Sequence, residues 1–286
     1  MSPDVQYCNI PATDTIAAHR LAYYDWGDKT ADKTVLCVHG LTRNARDFDF
    51  LARDLSSNYR IITVDIAGRG KSDYLSDPAS YNYTTYATDM ATFIHILGLK
   101  DIHWVGTSMG GIIGMMLINM LPGVIRSLTL NDIGCLIPAS GLKRILAYAG
   151  NNTIFETRSL AEQALRSNCQ SFGITNEEHW QHLFVHSIIE ENGKIRLAYD
   201  PHITDSLPPA DKAEDVEMWP MWEAVSKIPT LLIRGENSDI LLRETALNMQ
   251  TTHPQLTLAE IANTGHAPML MDDAQIKLIR EWLETV

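Results

Sequence analysis

Gly106-Thr107-Ser108-Met109-Gly110 constrains this chain more than any other stretch. Before it runs Ile102-His103-Trp104-Val105, which has the look of a buried strand. After it the residues from Gly111 to Ile118 are apolar and numerous enough for a buried helix. A chain that passes from strand to helix over so few residues must turn sharply. Glycines at 106 and 110 meet that demand, because a side chain at either position would collide with neighbouring backbone. The strain lifts the Ser108 hydroxyl clear of the sheet. It also sets the first N–H groups of the following helix beside that hydroxyl, where negative charge is favoured. A glycine-rich strand-to-helix turn of an ordinary doubly wound sheet has the same look. Partners elsewhere in the chain decide whether this one presents a nucleophile.

The flanking segments supply a frame. The aromatic-rich stretch from Val5 to Trp26 reads as antiparallel edge strands. Continuous apolar runs at Thr34 to Val38, Arg60 to Asp65, Val124 to Leu130, Pro229 to Arg234 and Leu256 to Ile261 suit buried parallel strands. Between them lie helical segments: one capped by Asn44 and running to about Ser56, one from Thr84 to Leu97 closed by Gly98, one from Leu241 to Gln250, and one from Asp272 to the end. This alternation predicts an α/β fold with a mainly parallel sheet wrapped by helices. From about Gly134 to Met221 no clear strand run is found. Helix-like pieces (Gly141 to Tyr148, Leu160 to Ser167, Glu177 to Ile189) lead to a Pro-rich exit, Leu207-Pro208-Pro209. The expected organisation is a core of residues 1–133 and 222–286, with residues 134–221 inserted as a helical cap over the reactive end of the sheet.

A serine hydroxyl needs a base beside it, and the base needs a third group to hold its tautomer. Both should lie in loops on the same sheet edge as Ser108. His266 sits in the Gly-His loop after the last strand, and Asp239 in the loop after the strand before it. The expected triad is therefore Ser108, Asp239 and His266. Asp132, which also ends a sheet strand, is a rival for the acid, and Asn131-Asp132 is a candidate supporting pair. Charge developing on a substrate oxygen calls for two backbone donors. The amide of Met109, directly after the serine, is one; the amide of Leu41, in the turn His39-Gly40-Leu41, is the other. His39 reads as structural, satisfied by local backbone.

These pieces together resemble the α/β-hydrolase superfamily over essentially the whole length: His39-Gly40 after a strand, Asp65-Ile66-Ala67-Gly68-Arg69-Gly70-Lys71-Ser72, the Gly106 to Gly111 turn, Asp239, and Gly265-His266. The chain order serine, acid, histidine is that of the superfamily. The resemblance implies an α/β-hydrolase fold of the eight-stranded type and a serine hydrolase acting on a carboxylic ester of modest size through an acyl-enzyme. The same triad also serves carbon–carbon bond hydrolases and lactonases, and the fold can serve a weakly catalytic receptor. Relatives with an aspartate nucleophile are disfavoured by Ser108, and the H-G-x-P pattern of epoxide hydrolases is broken by Thr42.

The remaining features set bounds. A net charge of −12 argues against nucleic acid and anionic membrane surfaces as partners. The four cysteines (Cys8, Cys37, Cys135, Cys169) are widely spaced and read as free thiols in a reducing compartment. The opening residues Met1 to Gln6 have no basic or apolar leader character, and no apolar run is long enough to span a bilayer, so a cytoplasmic protein is expected. His179, His182 and His186 share a helix face, yet no H-E-x-x-H accompanies them, and no metal or other cofactor is assigned. Arg43 reads as a surface arginine near a helix start, with a substrate-carboxylate contact as the alternative. Tyr148, Trp180, Trp219 and Trp222 read mostly as packing between insertion and sheet. The expected partners are a small-molecule ester and water.

Overall fold

The computed structural model describes residues 3–151 and 153–286. Met1 and Ser2, on which part of the expectation about the opening residues falls, lie outside them. The strands are, in order, β1 (Gln6–Ile10), β2 (His19–Trp26), β3 (Thr34–Val38), β4 (Arg60–Val64), β5 (Ile102–Thr107), β6 (Ile125–Asn131), β7 (Leu136–Ile137), β8 (Ile188–Glu191), β9 (Lys194–Leu197), β10 (Val216–Glu217), β11 (Thr230–Gly235) and β12 (Leu256–Ile261). The helices are α1 (Asp49–Leu55), α2 (Tyr83–Ile96), α3 (Met109–Met120), α4 (Ala139–Ala149), α5 (Arg158–Asn168), α6 (Glu177–Ser187), α7 (Trp219–Val225), α8 (Arg243–Thr252) and α9 (Asp273–Leu283).

Eight strands form one sheet in the order β1-β2-β4-β3-β5-β6-β11-β12. The pairings β1/β2 and β2/β4 are antiparallel. The rest of the sheet is parallel. All five residues of β3 are buried, as its unbroken apolar run requires. Successive strand residues point to opposite faces. Leu36, Val38, Ile62 and Val64 therefore join the core under α2 and α3, together with Met90, Phe93 and Ile113. Val35, Cys37 and Ile61 join the opposite core, with Leu51 and Leu55 of α1 and Ile279 and Trp282 of α9. Because β3 to β6, β11 and β12 run the same way, the loops that begin at 39, 65, 108, 132, 236 and 262 all open on one edge. That edge carries the site.

The insertion differs from the strand-free segment expected. Its two ends pair as a short antiparallel stem, β7 against β10, with Ile137 opposite Val216. Helix α6 stops at Ser187, and β8 and β9 then form a hairpin. Its turn is Asn192-Gly193, both at positive φ (53° and 71°), the chemistry a two-residue hairpin demands. These strands are too short to stand out beside the long apolar runs of the sheet. The insertion is tied to the sheet edge by main-chain bonds from Gly70 to the Ala198 carbonyl (2.9 Å), from Asp200 to the Gly68 carbonyl (2.8 Å) and from Gly265 to the Ser171 carbonyl (2.6 Å).

Candidate active site

The turn after β5 holds Ser108 at φ 51° and ψ −112°, a strained conformation for a residue with a side chain. The neighbouring glycines are required by contact. A Cβ on Gly106 would lie 2.4 Å from the Gly110 carbonyl, and one on Gly110 would lie 2.0 Å from the Val38 carbonyl oxygen. The Ser108 amide donates to the Asn131 carbonyl (3.0 Å), and the Trp104 indole donates to the Gly110 carbonyl (2.9 Å), so strand, turn and helix are locked together.

The structure brings His266 to Ser108: Nε2 and Oγ are 3.0 Å apart. On the other side of the ring Nδ1 lies 2.8 Å from Oδ2 of Asp132. A carboxylate only accepts, so Nδ1 carries the proton and Nε2 is left to accept from the serine hydroxyl. Asp132 is fully buried. Its carboxylate also accepts from the Gly235 amide (2.8 Å) and from the Ser238 hydroxyl (2.6 Å). The loop carrying His266 is held from two sides. Asn131 Nδ2 donates to the Pro268 carbonyl (2.8 Å), and Ser171 Oγ of the insertion donates to the His266 carbonyl (3.2 Å).

Asp239 is not the partner of His266, contrary to the expectation from sequence. It faces Arg144 of α4, whose Nε and Nη2 donate to its two oxygens at 2.6 and 2.7 Å. Burial works to raise its carboxyl, but the Arg144 guanidinium outweighs this and holds it below the ordinary carboxylate range. The reason is positional. β6 lies directly beside β5, and Asp132 is the first residue past its end; Asp239 is four residues past the end of β11, one strand further out. The usable signal was that immediacy: Ser108 and Asp132 each follow their strand at once. Ser171 and Ser238 carried no signal in the sequence.

Opposite the histidine, Arg43 N–H donates to the Gly40 carbonyl (3.1 Å), closing the turn that contains Leu41. The amides of Leu41 and Met109 have no acceptor among the described residues. His39 accepts from the Ile66 amide (3.0 Å) through Nε2, and its Nδ1 meets the Gly40 carbonyl at 2.7 Å. Burial drives its pKa down to about 3, so it stays neutral and serves the backbone. A cavity of about 40 Å³ is bordered by Leu41, Arg43, Ser108, Tyr148, Phe172 and His266. Beside it, sharing Leu41 and Ile145, lies an apolar cavity of about 350 Å³ that includes Ile112, Leu142 and Met218.

Arg43 is buried rather than a surface group. It is paired with Asp47 (Nε to Oδ2, 2.9 Å) and donates to Ser187 Oγ (2.7 Å). Of the aromatic residues considered, Tyr148 borders the cavity, while the Trp222 indole donates to Thr252 Oγ1 (3.1 Å) and the Trp180 indole to the Ile174 carbonyl (3.2 Å). The histidine face of α6 is not one group. His179 lies 3.4 Å from Asp272, whereas His182 and His186 gather with Asp49, ligand atoms within 4.8 Å of one another. Asp49 is already gripped by the Arg46 guanidinium (2.9 and 2.8 Å from Nε), and His182 Nε2 lies 2.8 Å from the Arg46 carbonyl. A cation there would have to displace both.

Residues 33–273 match the alpha/beta hydrolase fold family. The chain belongs to that family. This alpha/beta hydrolase is 38% identical over 268 residues to the 3-hydroxybutyrate-oligomer hydrolase of Cupriavidus necator, with 91% of each chain covered. Among solved structures it is similar to a Rickettsia typhi protein (38% identity, TM-score 0.92, 99% of each chain covered). It is also similar to an alpha/beta hydrolase of Novosphingobium aromaticivorans (32% identity, TM-score 0.87, again 99% of each). The hydrolase has four buried cysteines, all free. No helix among its described residues is long and apolar enough to cross a membrane.

Proposed function

We propose that this hydrolase cleaves carboxylic esters of modest size through an acyl-enzyme on Ser108, with His266 as base and acid and Asp132 as the carboxylate that orients it. The observation that carries this is the unbroken chain Ser108 Oγ, His266 Nε2 (3.0 Å), His266 Nδ1, Asp132 Oδ2 (2.8 Å). Ser108 Oγ attacks the ester carbonyl carbon as His266 Nε2 takes the hydroxyl proton, and the carbonyl π electrons move to oxygen. The amides of Leu41 and Met109 hold that oxyanion. Its collapse breaks the bond to the leaving alcohol, which receives the proton from His266. Water then attacks the acyl group and gives its proton to Nε2. The second collapse releases the acid, and the proton returns to Ser108. Asp132 stays ionised throughout and stabilises the imidazolium.

The likeness to a 3-hydroxybutyrate-oligomer hydrolase supports a narrower substrate class, short oligoesters of hydroxy acids. In this reading one half of such a substrate occupies the apolar cavity that shares Leu41 and Ile145 with the cavity at Ser108 and is roomy enough for a few carbons. Residues 134–221 act as a cap in this reading, since Ile145, Tyr148 and Phe172 border the cavity at Ser108. The test compares p-nitrophenyl esters of graded chain length with dimers and trimers of 3-hydroxybutyrate. The expected result is a burst of p-nitrophenol, turnover of the oligoesters, and a fall in kcat of order 10⁴ or more in Ser108→Ala. An unchanged rate in that variant rejects the nucleophile, and inert oligoesters reject the narrower class.

A further inference from the structure

Arg69 is fully buried. Its guanidinium makes no ion pair among the described residues. A lone charge in that setting is costly, so its neighbours must justify it. Nε donates to the Leu41 carbonyl (2.9 Å). Nη1 donates to the Ala67 carbonyl and to the Tyr86 hydroxyl, both at 2.8 Å. Nη2 rests 3.7 Å from the Met109 sulfur. The guanidinium carbon also lies 4.8 Å from the Tyr86 ring centroid, a geometry that favours a cation. One side chain thus touches both residues whose amides are proposed above to hold the oxyanion, Leu41 through its main chain and Met109 through its side chain.

The fork is itself anchored. Arg69 sits in the loop after β4, the strand beside β3, and the main chain of Arg69 bridges to Tyr199 of the insertion. Asp65 accepts from the Ala45 and Lys71 amides (2.7 and 2.9 Å), which fixes the loop against the Leu41 turn. Gly70 has no room for a side chain, since a Cβ there would lie 2.3 Å from the Asp65 carboxyl.

We propose that Arg69 is a positioning residue for oxyanion stabilisation, an inference that rests on the ester-hydrolysis reading above. By holding the Leu41 carbonyl it keeps the negative end of that residue's peptide dipole turned to itself, and the preceding amide keeps its aim. By seating Met109 it steadies the first turn of α3. Its charge, unneutralised by any carboxylate in ion-pair range, stands behind both amides and favours the negative charge that develops in front of them. Arg69 touches neither serine nor histidine, so it acts on the transition state through Leu41 and Met109.

The experiment measures p-nitrophenyl butyrate hydrolysis and inhibition by butylboronic acid, whose adduct with Ser108 is tetrahedral and anionic. It uses Arg69→Met, Arg69→Gln and Arg69→Lys, each checked for folding by circular dichroism. Removing the charge is expected to lower kcat by about 10- to 100-fold, less than the loss seen on deleting a direct oxyanion donor in other hydrolases. KM should change by less than about threefold, and boronate affinity should fall in parallel with kcat. Arg69→Lys, which keeps the charge and one donor, should recover part of the loss. A folded Arg69→Met or Arg69→Gln enzyme with wild-type kcat overturns the inference. So does a kcat loss that leaves boronate affinity intact, because a purely structural defect acts that way. Full turnover in Ser108→Ala would instead reject Ser108 as the nucleophile of the reading above, whatever the Arg69 variants do.

Discussion

The ends of β6 and β11 present the same residue type on the same sheet edge, yet the two carboxylates live in different worlds. Asp132 is fully buried and accepts from a backbone amide, a hydroxyl and an imidazole. Asp239 is 40% exposed at its side chain and meets an arginine of the insertion that is itself 35% exposed. A buried carboxylate with three donors is held in one orientation and acts undiminished on the ring it faces. A half-exposed ion pair is screened by water and contributes little to stability. In the reading proposed above the first orients the imidazole, whereas the second ties α4 to the loop after β11. Gly141 of α4 packs on that loop so closely that a Cβ would lie 2.4 Å from the Asp239 carbonyl oxygen.

The sharpest way to break this contrast is to neutralise each carboxylate in turn. Asp132→Asn should lower kcat by about 10³- to 10⁴-fold, because an amide on Nδ1 permits the wrong imidazole tautomer. If Asp132→Asn retains activity and Asp239→Asn loses it, the assignment reverses. A smaller effect is expected at the hydroxyl that supports the buried acid. Ser238→Ala removes one of the three donors and should reduce kcat about tenfold, the scale of one hydrogen bond to a charged group. A loss as large as that of Asp132→Asn would mean that Ser238 does more than orient.

The smallest effects belong to Asp239. Asp239→Asn should leave kcat within about twofold and cost no more than about 1 kcal/mol in urea denaturation, discounted for the exposure of both partners. Its pH dependence has a definite sign. The folded carboxyl is held below its ordinary value. The tie is therefore fully present above the unfolded value of about 3.9 and fades as pH drops through the lower folded value. The stability difference between the wild type and Asp239→Asn should be flat from about pH 5 to 8 and vanish in stronger acid. A difference that grew on acidification would mean that the carboxyl is not held by Arg144.

Much of the frame was legible before any coordinates. Continuous apolar runs such as Thr34 to Val38 announce buried parallel strands, and parallel strands put all their following loops on one edge. That alone brings a serine after β5 and a histidine after β12 into the same neighbourhood. Chain order favours Asp239 over Asp132 because it ranks candidates by position in the sequence, whereas hydrogen bonding depends on which strand lies beside β5. The hairpin β8–β9 was missed although Asn192-Gly193 marks it, since an apolar segment ahead of it reads equally well as the tail of a helix. The burial of Arg43 was hidden for a similar reason. A charged residue near a helix start is normally solvated, whereas this one is buried and reaches across to Ser187 of the insertion.

The α/β alternation, the glycine-bounded turn at Ser108 and the arrival of His266 at the same rim can all be read from the chain. Those follow from periodicity and from backbone sterics, which are local properties of the chain. That Asp132 faces the imidazole, that Arg144 claims Asp239, and that Arg69 reaches both Leu41 and Met109 emerges only in the folded molecule. Those outcomes depend on strand adjacency and on side chains meeting across the interior. Such contacts join residues far apart in the chain, and no local pattern records them.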